Sequence, residues 1–295
     1  MAPEPFAVVG PRPPAPLPAR RRACPFAGGR AAYAAVLGAI LLGCLLCPLL
    51  LPADPAYMDL AHCGAPPGPS FWFGTDTMGR DIFAMIWYGG RTSLFIGFVA
   101  TGISTAAAIL YGTVSGLAPV WLDNLLTRLA ELLLSVPSLL LILLLQGIFG
   151  AATPASIAFV IGITSWTGIA RVVRTQVRQL RESGFVAASR CMGGGFFHIL
   201  RVHLAPNFLP SILFMVVMNI RGAIAAESTL SFMGMGLPLD TISWGSMLAL
   251  SESALLGGAW WIVLIPGVFL AATLLCVTGL GDSLRGPSGR AHSNL

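Results

Sequence analysis

Apolar runs about as long as a membrane is thick recur along the whole chain. A helix of about 20 apolar residues crosses the hydrocarbon core of a bilayer, and the 295-residue sequence contains six such stretches. They are Ala32–Leu51, Ser93–Ala118, Leu125–Leu145, Pro154–Ala170, Phe208–Ala226 and Ala259–Gly281. This pattern predicts an all-α, polytopic membrane protein with six transmembrane helices.

The composition excludes several other classes of protein. Hydrophobic residues make up 56% of the chain and charged residues only 10%, whereas a soluble domain carries roughly 25% charged residues. So few charges cannot coat a soluble surface of this size, which argues against a cytosolic enzyme, a nucleic-acid-binding protein and a disordered chain. The six cysteines are scattered, so the sequence predicts no disulfide framework.

The two ends of the chain are predicted to be cytoplasmic tails around a membrane domain at 31–285. Residues 1–30 are Pro-rich and carry five arginines, a composition typical of a disordered segment, and residues 286–295 form a second short tail. The first apolar run is longer than the roughly 7–15 residues of a signal-peptide core, which favours an uncleaved anchor. With the N-terminus inside, fourteen arginines lie on the inner side against two outside, so both termini are predicted to be cytoplasmic.

Two segments between the spans are too long to be simple turns. The outer one covers about 52–92 and is rich in Pro and Gly, and the inner one covers 171–207 and is cationic. In the inner loop the sequence predicts a helix over Phe185–Met192, a break at Gly193–Gly195 and a second helix over Phe196–Leu204 that Pro206 ends.

The inner loop has two interpretations from its pattern alone. Its arginines from Arg171 to Arg181 recur every three or four residues, which places several on one helix face, and most are interpreted as anchors to anionic lipid headgroups. The two short helices that follow either dock into a groove of a partner protein or lie on lipid as an amphipathic hairpin. Periodicity leaves both readings open.

A six-span protein with a structured inner loop is a transporter or channel subunit, or a membrane-embedded enzyme. The chain has no Lys and so no phosphate-binding Gly-x-x-x-x-Gly-Lys-Ser/Thr loop, and it is not expected to hydrolyse ATP. The absence of His-Glu-x-x-His and Gly-x-Ser-x-Gly sequences disfavours a membrane hydrolase. Asp59, His62 and Cys63 form one short cluster, which is too few ligands to predict a metal site.

The inner loop resembles the coupling-helix signature of ABC importer permeases. The core of that signature is a Glu-Ala-Ala run, then a Gly, then an Ile or Leu and a Pro. In the dipeptide, oligopeptide and nickel branch the loop ends in a His-x-x-Pro-Asn pattern, which is matched here by His203, Pro206 and Asn207.

Two positions of the loop match the core of the signature and two depart from it. The family glycine falls on Gly193 and the first alanine on Ala188. Ala187 stands where the family has glutamate, and Ser189 stands where it has the second alanine. Loss of the acid removes one polar contact to the ATPase that the resemblance would otherwise imply.

Further blocks follow in the order of the same family. Phe73–Asp81 resembles its Gly-Thr-Asp-x-x-Gly-Arg-Asp block, and Glu227–Gly236 resembles its Glu-x-x-Leu-Ser-Phe-Leu-Gly-Leu-Gly block. The remaining matches are Ser243–Gly245, Trp260–Trp261, Pro266–Gly267 and Gly281–Arg285. The resemblance covers about 54–285, and within the family the chain is similar to the second of two permeases, the one with the Gly-Thr-Asp block.

The resemblance implies a fold, a function and a set of partners. The fold is the type I ABC importer permease architecture, and the function is that of a permease subunit of an ATP-driven importer for peptides, nickel or chelated metal in a bacterial inner membrane. The chain would form half of the translocation path with a second, homologous permease and receive substrate from an external solute-binding protein. It would bind no cofactor itself, because ATP and Mg belong to two cytoplasmic ATPases. The residues implied in ATPase coupling are Ala187, Ala188, Ser189, Gly193, His203 and Pro206.

An ion-coupled secondary transporter acting alone is the alternative. Such a protein needs ion sites near the membrane midplane and broken helices, often in repeated halves. The sequence shows no internal repeat.

Two sets of charged residues remain open to a functional or a structural interpretation. The first set, the outer-side motif, is Gly74, Asp76, Gly79, Arg80 and Asp81. It either shapes an outer gate or a docking site for the binding protein, or it is an ion-pair cap, since Asp76 and Arg80 are spaced to meet on one helical turn.

The second set is Asn219, Arg221 and Glu227. Ionisable groups at membrane depth face a cavity or each other, so this set either lines the translocation path or locks helices together.

Overall fold

The structure, a computed structural model, describes most of the predicted membrane domain. It covers residues 29–50, 54–150, 152–181, 183–195, 198–238, 240–250, 254 and 257–284. The predicted tails at 1–30 and 286–295 fall outside these residues, with the exception of Gly29 and Arg30. These two open the first helix instead, and the Arg30 guanidinium donates a hydrogen bond of 3.0 Å to the carbonyl of Ser283 near the opposite end of the chain.

Every regular element in the described residues is helical, apart from one isolated β-bridge. The helices are α1 (Gly29–Leu50), α2 (Ile82–Leu117), α3 (Val120–Ser135), α4 (Ser138–Phe149), α5 (Pro154–Thr164), α6 (Thr167–Arg181), α7 (Gly184–Cys191), α8 (Ala205–Phe232), α9 (Trp244–Ala249) and α10 (Trp261–Leu284). A 3-10 turn at Leu60–His62 and a π-helical segment at Ile199–Leu204 complete the set. The predicted all-α fold class is confirmed.

Four of the predicted spans are single long helices and two are bent pairs. The helices α1, α2, α8 with its preceding π-helical segment, and α10 are each long and apolar enough to cross a membrane. The pair α3–α4 bends by 90° and the pair α5–α6 by 43°, so the described residues hold as many as six spans if each pair counts as one. The predicted third span over Leu125–Leu145 contains the sharper bend, because Pro137 lacks the N–H that would continue the helix and disfavours helical backbone at Val136.

The second span begins at Ile82, well before the predicted start at Ser93. Gly89 and Gly90 continue the helix because each lies where another segment passes close by. A Cβ atom on Gly90 would lie 2.8 Å from the Trp244 ring, and one on Gly89 would lie 3.1 Å from the backbone of Ser243. The two glycines therefore permit close packing and do not break the helix.

Helix α2 lies at the centre of the fold, because it contributes to all three apolar clusters. The outer cluster packs around Ile86 and Trp244, the middle one around Ile96 and Ile161, and the inner one around Ala108 and the start of α8. Most of the other helices contribute buried residues to these clusters, whereas α3 contributes none and leaves leucines such as Leu132 exposed.

The prediction that Pro206 ends the second short helix is wrong. The π-helical segment runs directly into α8, and Pro206 lies in the first turn of that helix. The N–H of Ala205 donates to the carbonyl of Leu200, five residues earlier, so the turn before the proline is wider than an α-helical turn. In addition, the Asn207 amide donates a 2.6 Å hydrogen bond to the carbonyl of His203. Pro206 has no N–H to donate to the preceding turn, and the wider turn before it lets the helical run continue through the proline.

Candidate functional site

The inner loop presents α7 on an apolar base. Val186 is fully buried in the cluster that also contains Val173 of α6 and Phe208 of α8. Ser189 is buried as well, whereas Ala188 and Met192 are exposed, Met192 by 82%. One side of α7 is thus buried in the cluster shared with α6 and the start of α8, and the other side is exposed.

A glycine turn ends α7 and leads into the next helical segment. Gly193 has φ +82°, a left-handed conformation that favours glycine. The N–H of Gly194 donates to the carbonyl of Ser189 at 2.9 Å, which is the hydrogen bond expected after a glycine helix cap. The glycine of the sequence signature therefore has a backbone role, and the structure has the predicted helix, turn and second helix.

The other sequence-predicted coupling residues lie along the same loop. Ala187 is part of the backbone of α7. His203 lies in the π-helical segment with its ring centroid 5.9 Å from that of His198, and Pro206 is exposed at the start of α8. The structure therefore brings the coupling residues to one end of the molecule.

Two arginines of the inner loop bind a buried carboxylate, not only lipid headgroups. Asp123 of α3 is 3% exposed. Arg174 donates to both of its oxygens, at 2.5 and 2.6 Å, and Arg178 donates to Oδ2 at 3.1 Å. The hydroxyl of Ser115 at the end of α2 donates to Oδ1 at 2.6 Å. This group, the Asp123 clamp, joins α2, α3 and α6, and no sequence pattern within one segment predicts it.

The outer-side motif forms a tight loop around a buried ion pair. Arg80 Nε lies 2.7 Å from Asp76 Oδ2, and the two side chains are only 3% and 2% exposed. The backbone N–H groups of Met78 and Arg80 both donate to Asp76 Oδ1 at 2.8 Å. The pair was predicted on one helical turn, but it closes a loop with an antiparallel bridge between Thr75 and Asp81.

Neighbouring segments enclose this loop on several sides. Gly74 and Gly79 have φ +76° and +77°, and a Cβ atom on Gly79 would lie 1.9 Å from the carbonyl oxygen of Asp59. The indole N–H of Trp261 donates to the carbonyl of Thr75 at 3.1 Å. The loop is therefore packed between the start of the outer segment and α10, which favours the structural interpretation of the motif.

Asp81 caps the N-terminus of α2. Its Oδ1 accepts a hydrogen bond of 3.0 Å from the backbone N–H of Phe83. Burial raises the pKa of the Asp81 carboxyl above its usual range, and hydrogen bonds from the N–H groups of Phe83 and Ala84 oppose that rise. The side chain is thus placed by its capping role, in a position where its charge is partly desolvated.

Glu227 is enclosed by hydroxyl groups and has no exposed surface. Ser243 and Ser231 donate to Oε1 at 2.7 and 3.0 Å, and Ser93 donates to Oε2 at 3.1 Å, with Ser228 at 3.4 Å. These serines come from α2, from α8 and from the cap of α9. The arrangement favours an inter-helix lock and removes Glu227 from the candidate path residues.

The three residues proposed for the path do not come together. Asn219 donates to the hydroxyl of Ser104 on α2, so it also joins helices. Arg221 is exposed on α8, and within the described part of the chain it has no recorded ion pair or side-chain hydrogen bond. Of these three residues, only Arg221 is exposed on the surface of the helix bundle.

The Asp59 cluster is explained by local structure. Asp59 caps the 3-10 turn and lies 2.7 Å from Nδ1 of His62. That hydrogen bond lowers the pKa of the Asp59 carboxyl. Among the described residues, no three His, Cys, Asp or Glu side chains are grouped in a way that could hold a metal ion.

Comparison with known proteins places this arrangement in a family. Residues 108–285 match the family described as the binding-protein-dependent transport system inner membrane component. The chain belongs to this family. It is 36% identical to the dipeptide transport system permease DppC of Bacillus subtilis over 81% of this chain and 74% of that protein. It is 34% identical to the oligopeptide transport system permease OppC of the same organism, over 83% and 80% of the two chains.

The fold is shared with a solved transporter. A structure of the MetNI methionine ABC transporter in an inward-facing conformation matches with a TM-score of 0.54 and 18% identity, over 68% of this chain and 95% of that one. The chain is therefore a multi-pass permease subunit of an ATP-driven importer, and the secondary transporter acting alone is not favoured.

Proposed function

We propose that this permease imports peptides and forms half of their path together with a second, homologous permease. The relatives named above are dipeptide and oligopeptide permeases, which supports peptides over nickel or chelated metal. ATP and Mg would be bound by two ATPase subunits, and an external solute-binding protein would deliver the substrate.

The observation that carries the path proposal is the contrast between exposed helix faces. The exposed side chains of α2 and α10 are mainly large and apolar, such as Phe98 and Leu275, as expected beside lipid tails. On the outer half of α8, large apolar side chains are exposed only at its end, at Phe232, and the other exposed residues are Arg221, Gly222 and Thr229. A charged and polar face at membrane depth suits a water-filled cavity or a protein neighbour, not lipid. The α8 face would therefore line the path, opposite the second permease.

The inner loop would receive the motion of the ATPases. Ala188 and Met192 on the open side of α7 would contact an ATPase groove, in the manner of a helix docking into a partner. Because Val186 packs with Val173 and Phe208, displacement of α7 would move α6 and α8 with it. The Asp123 clamp would pass the movement of α6 on to α3. Rocking of such packed bodies is the usual form of alternating access.

The proposed orientation follows from the distribution of arginines. The end of α6 and the inner loop hold most of the arginines between the spans, so this end would face the cytoplasm, together with both termini. The outer-side motif would then face the binding protein.

Two substitutions on the open side of α7 test the coupling proposal. Ala188→Glu and Met192→Glu place a charge on exposed positions, so the fold should be retained while the docking surface is lost. Tyr57→Glu, at an exposed position of the outer segment, is the matched control. The tagged chain is purified in mild detergent from cells that make the whole importer, and the retained ATPase subunits are quantified.

The expected result is loss of the ATPase subunits from both α7 variants and their retention in the control. Retention of the ATPase by both α7 variants would refute docking through this helix. Peptide uptake by proteoliposomes that contain the whole importer tests the substrate separately.

A further inference from the structure

We propose that Arg221 binds the carboxylate group of the transported peptide on its way through the membrane. The inference rests on the proposed function, because it assigns a substrate contact to the path formed by α8. It adds a specificity-determining residue and a chemical requirement, a free carboxylate on the substrate.

The position of Arg221 along its helix is the first part of the argument. It lies 22 residues after Ile199 and 11 residues before Phe232, the ends of its 34-residue helical run, about 33 Å and about 17 Å along a helix. A helical run of that length is longer than the roughly 30 Å hydrocarbon core, and a core centred on the run would include Arg221. Ionisable groups within the core tend to face a cavity or an oppositely charged group.

The described residues of the chain do not supply that opposite charge. Among the carboxylates in or beside the membrane helices, Asp76 contacts Arg80, Asp123 contacts two arginines, Glu131 contacts Arg128, and Glu227 accepts hydrogen bonds from serines. Asp81 caps α2, and within the described residues no ion pair joins Arg221 to Asp282 of α10. Arg221 has none of these as a contact and is exposed. Its counter-charge is therefore expected from outside this part of the chain.

The surroundings of Arg221 leave room for a ligand. A Cβ atom on the adjacent Gly222 would meet nothing within 4 Å, and Thr229, two turns further along, is also exposed. Every peptide with an unmodified C-terminus carries a carboxylate there, whatever its sequence. A guanidinium binds a carboxylate in a bidentate manner, so one arginine recognises the feature that such peptides share.

The test compares two peptides in two forms of the importer. The complete importer, with its partner permease, ATPases and binding protein, is reconstituted in proteoliposomes. Uptake is measured for one peptide with a free C-terminal carboxylate and for the same peptide with a C-terminal amide. Because the binding protein is identical in every sample, its own preference cancels when the uptake ratio of the two peptides is compared between wild type and Arg221→Gln.

Arg221→Gln should lower uptake of the free peptide by about tenfold or more, as expected for loss of a charged hydrogen bond, and leave uptake of the amide nearly unchanged. Arg221→Lys should retain part of the preference, because it keeps the charge without the bidentate geometry. The matched control is Arg91→Gln, which removes an exposed arginine nine residues into α2. Arg91 lies on the side of α2 that also exposes Phe95 and Phe98, away from the proposed path, so the ratio should be unchanged.

Four outcomes would overturn the inference. Equal loss of uptake for both peptides would mean that Arg221 supports the protein and not the substrate. Unchanged uptake of both peptides in Arg221→Gln would mean that it does not meet the carboxylate. If Arg221→Gln does not assemble with its partners, Arg221→Lys decides, and an unchanged ratio there together with unchanged uptake refutes the proposal. A wild-type importer that takes up neither peptide would instead refute peptide import itself, and the inference with it.

Discussion

The buried ion pair of the outer-side motif gives a prediction whose size follows from burial. Asp76→Asn keeps an oxygen that can accept the hydrogen bonds from the N–H groups of Met78 and Arg80, but it removes the charge that faces the Arg80 guanidinium at 2.7 Å. Removal of one partner from a buried ion pair costs about 3–5 kcal/mol. We expect the lower end, about 3 kcal/mol, because the backbone hydrogen bonds are retained.

An exposed pair in the same chain is the control. Arg128 and Glu131 lie 3.7 Å apart with side chains 80% and 50% exposed, and such pairs contribute at most about 1 kcal/mol. In a chain of this size, about 1 kcal/mol corresponds to roughly 2–4 °C in Tm. Asp76→Asn should therefore lower the Tm of the purified complex by about 6–12 °C, and Glu131→Gln by no more than about 4 °C. Tryptophan fluorescence during heating measures both, and equal shifts would refute the argument from burial.

Three further substitutions have expected outcomes. Asp81→Ala removes the cap of α2 and should lower the free energy of unfolding by about 0.5–2 kcal/mol in the same assay. Asp81→Asn keeps the cap and removes the charge of a carboxyl group whose pKa is raised by burial, so it should be neutral or slightly stabilising at pH 7. Gly79→Ala should prevent folding of the outer loop, seen as loss of purified monodisperse complex, while Gly102→Ala, which has open space at its Cβ, should purify normally. Asp123→Asn should lower peptide uptake per ATP hydrolysed by several-fold, and an unchanged ratio would contradict a role of the clamp in coupling.

The order of the apolar helices could be predicted because each is a property of one continuous segment. Apolar length identifies a span without knowledge of its neighbours. The details that differ depend on neighbours or on single prolines. The early start of α2 depends on Trp244 packing on Gly90, and the 90° bend of the third span depends on Pro137.

In the candidate site, as in the fold, features of one continuous segment could be predicted and contacts between segments could not. The helix, turn and helix of the inner loop follow from local sequence, since Gly193 is itself the residue with positive φ. Local sequence could not say whether Glu227 lines a path or locks helices, because two of its four serine contacts, Ser93 and Ser243, come from distant segments. The same limit applies to Arg174, whose partner Asp123 is 51 residues away.

The continuity of the chain from the inner loop through α8 has a geometric consequence. Pro206 and Pro210 both lie near the inner end of α8, and a proline inside a helix weakens it at that point. Arg221 lies 11 residues beyond Pro210, about 17 Å along the helix axis. Asn219 and Glu227 join the outer half of α8 to α2, so a bend of about 20° at the prolines would displace the inner loop relative to that half of the helix. The base of α8 could then turn with the inner loop while Arg221, about 17 Å beyond Pro210, keeps its place beside the path.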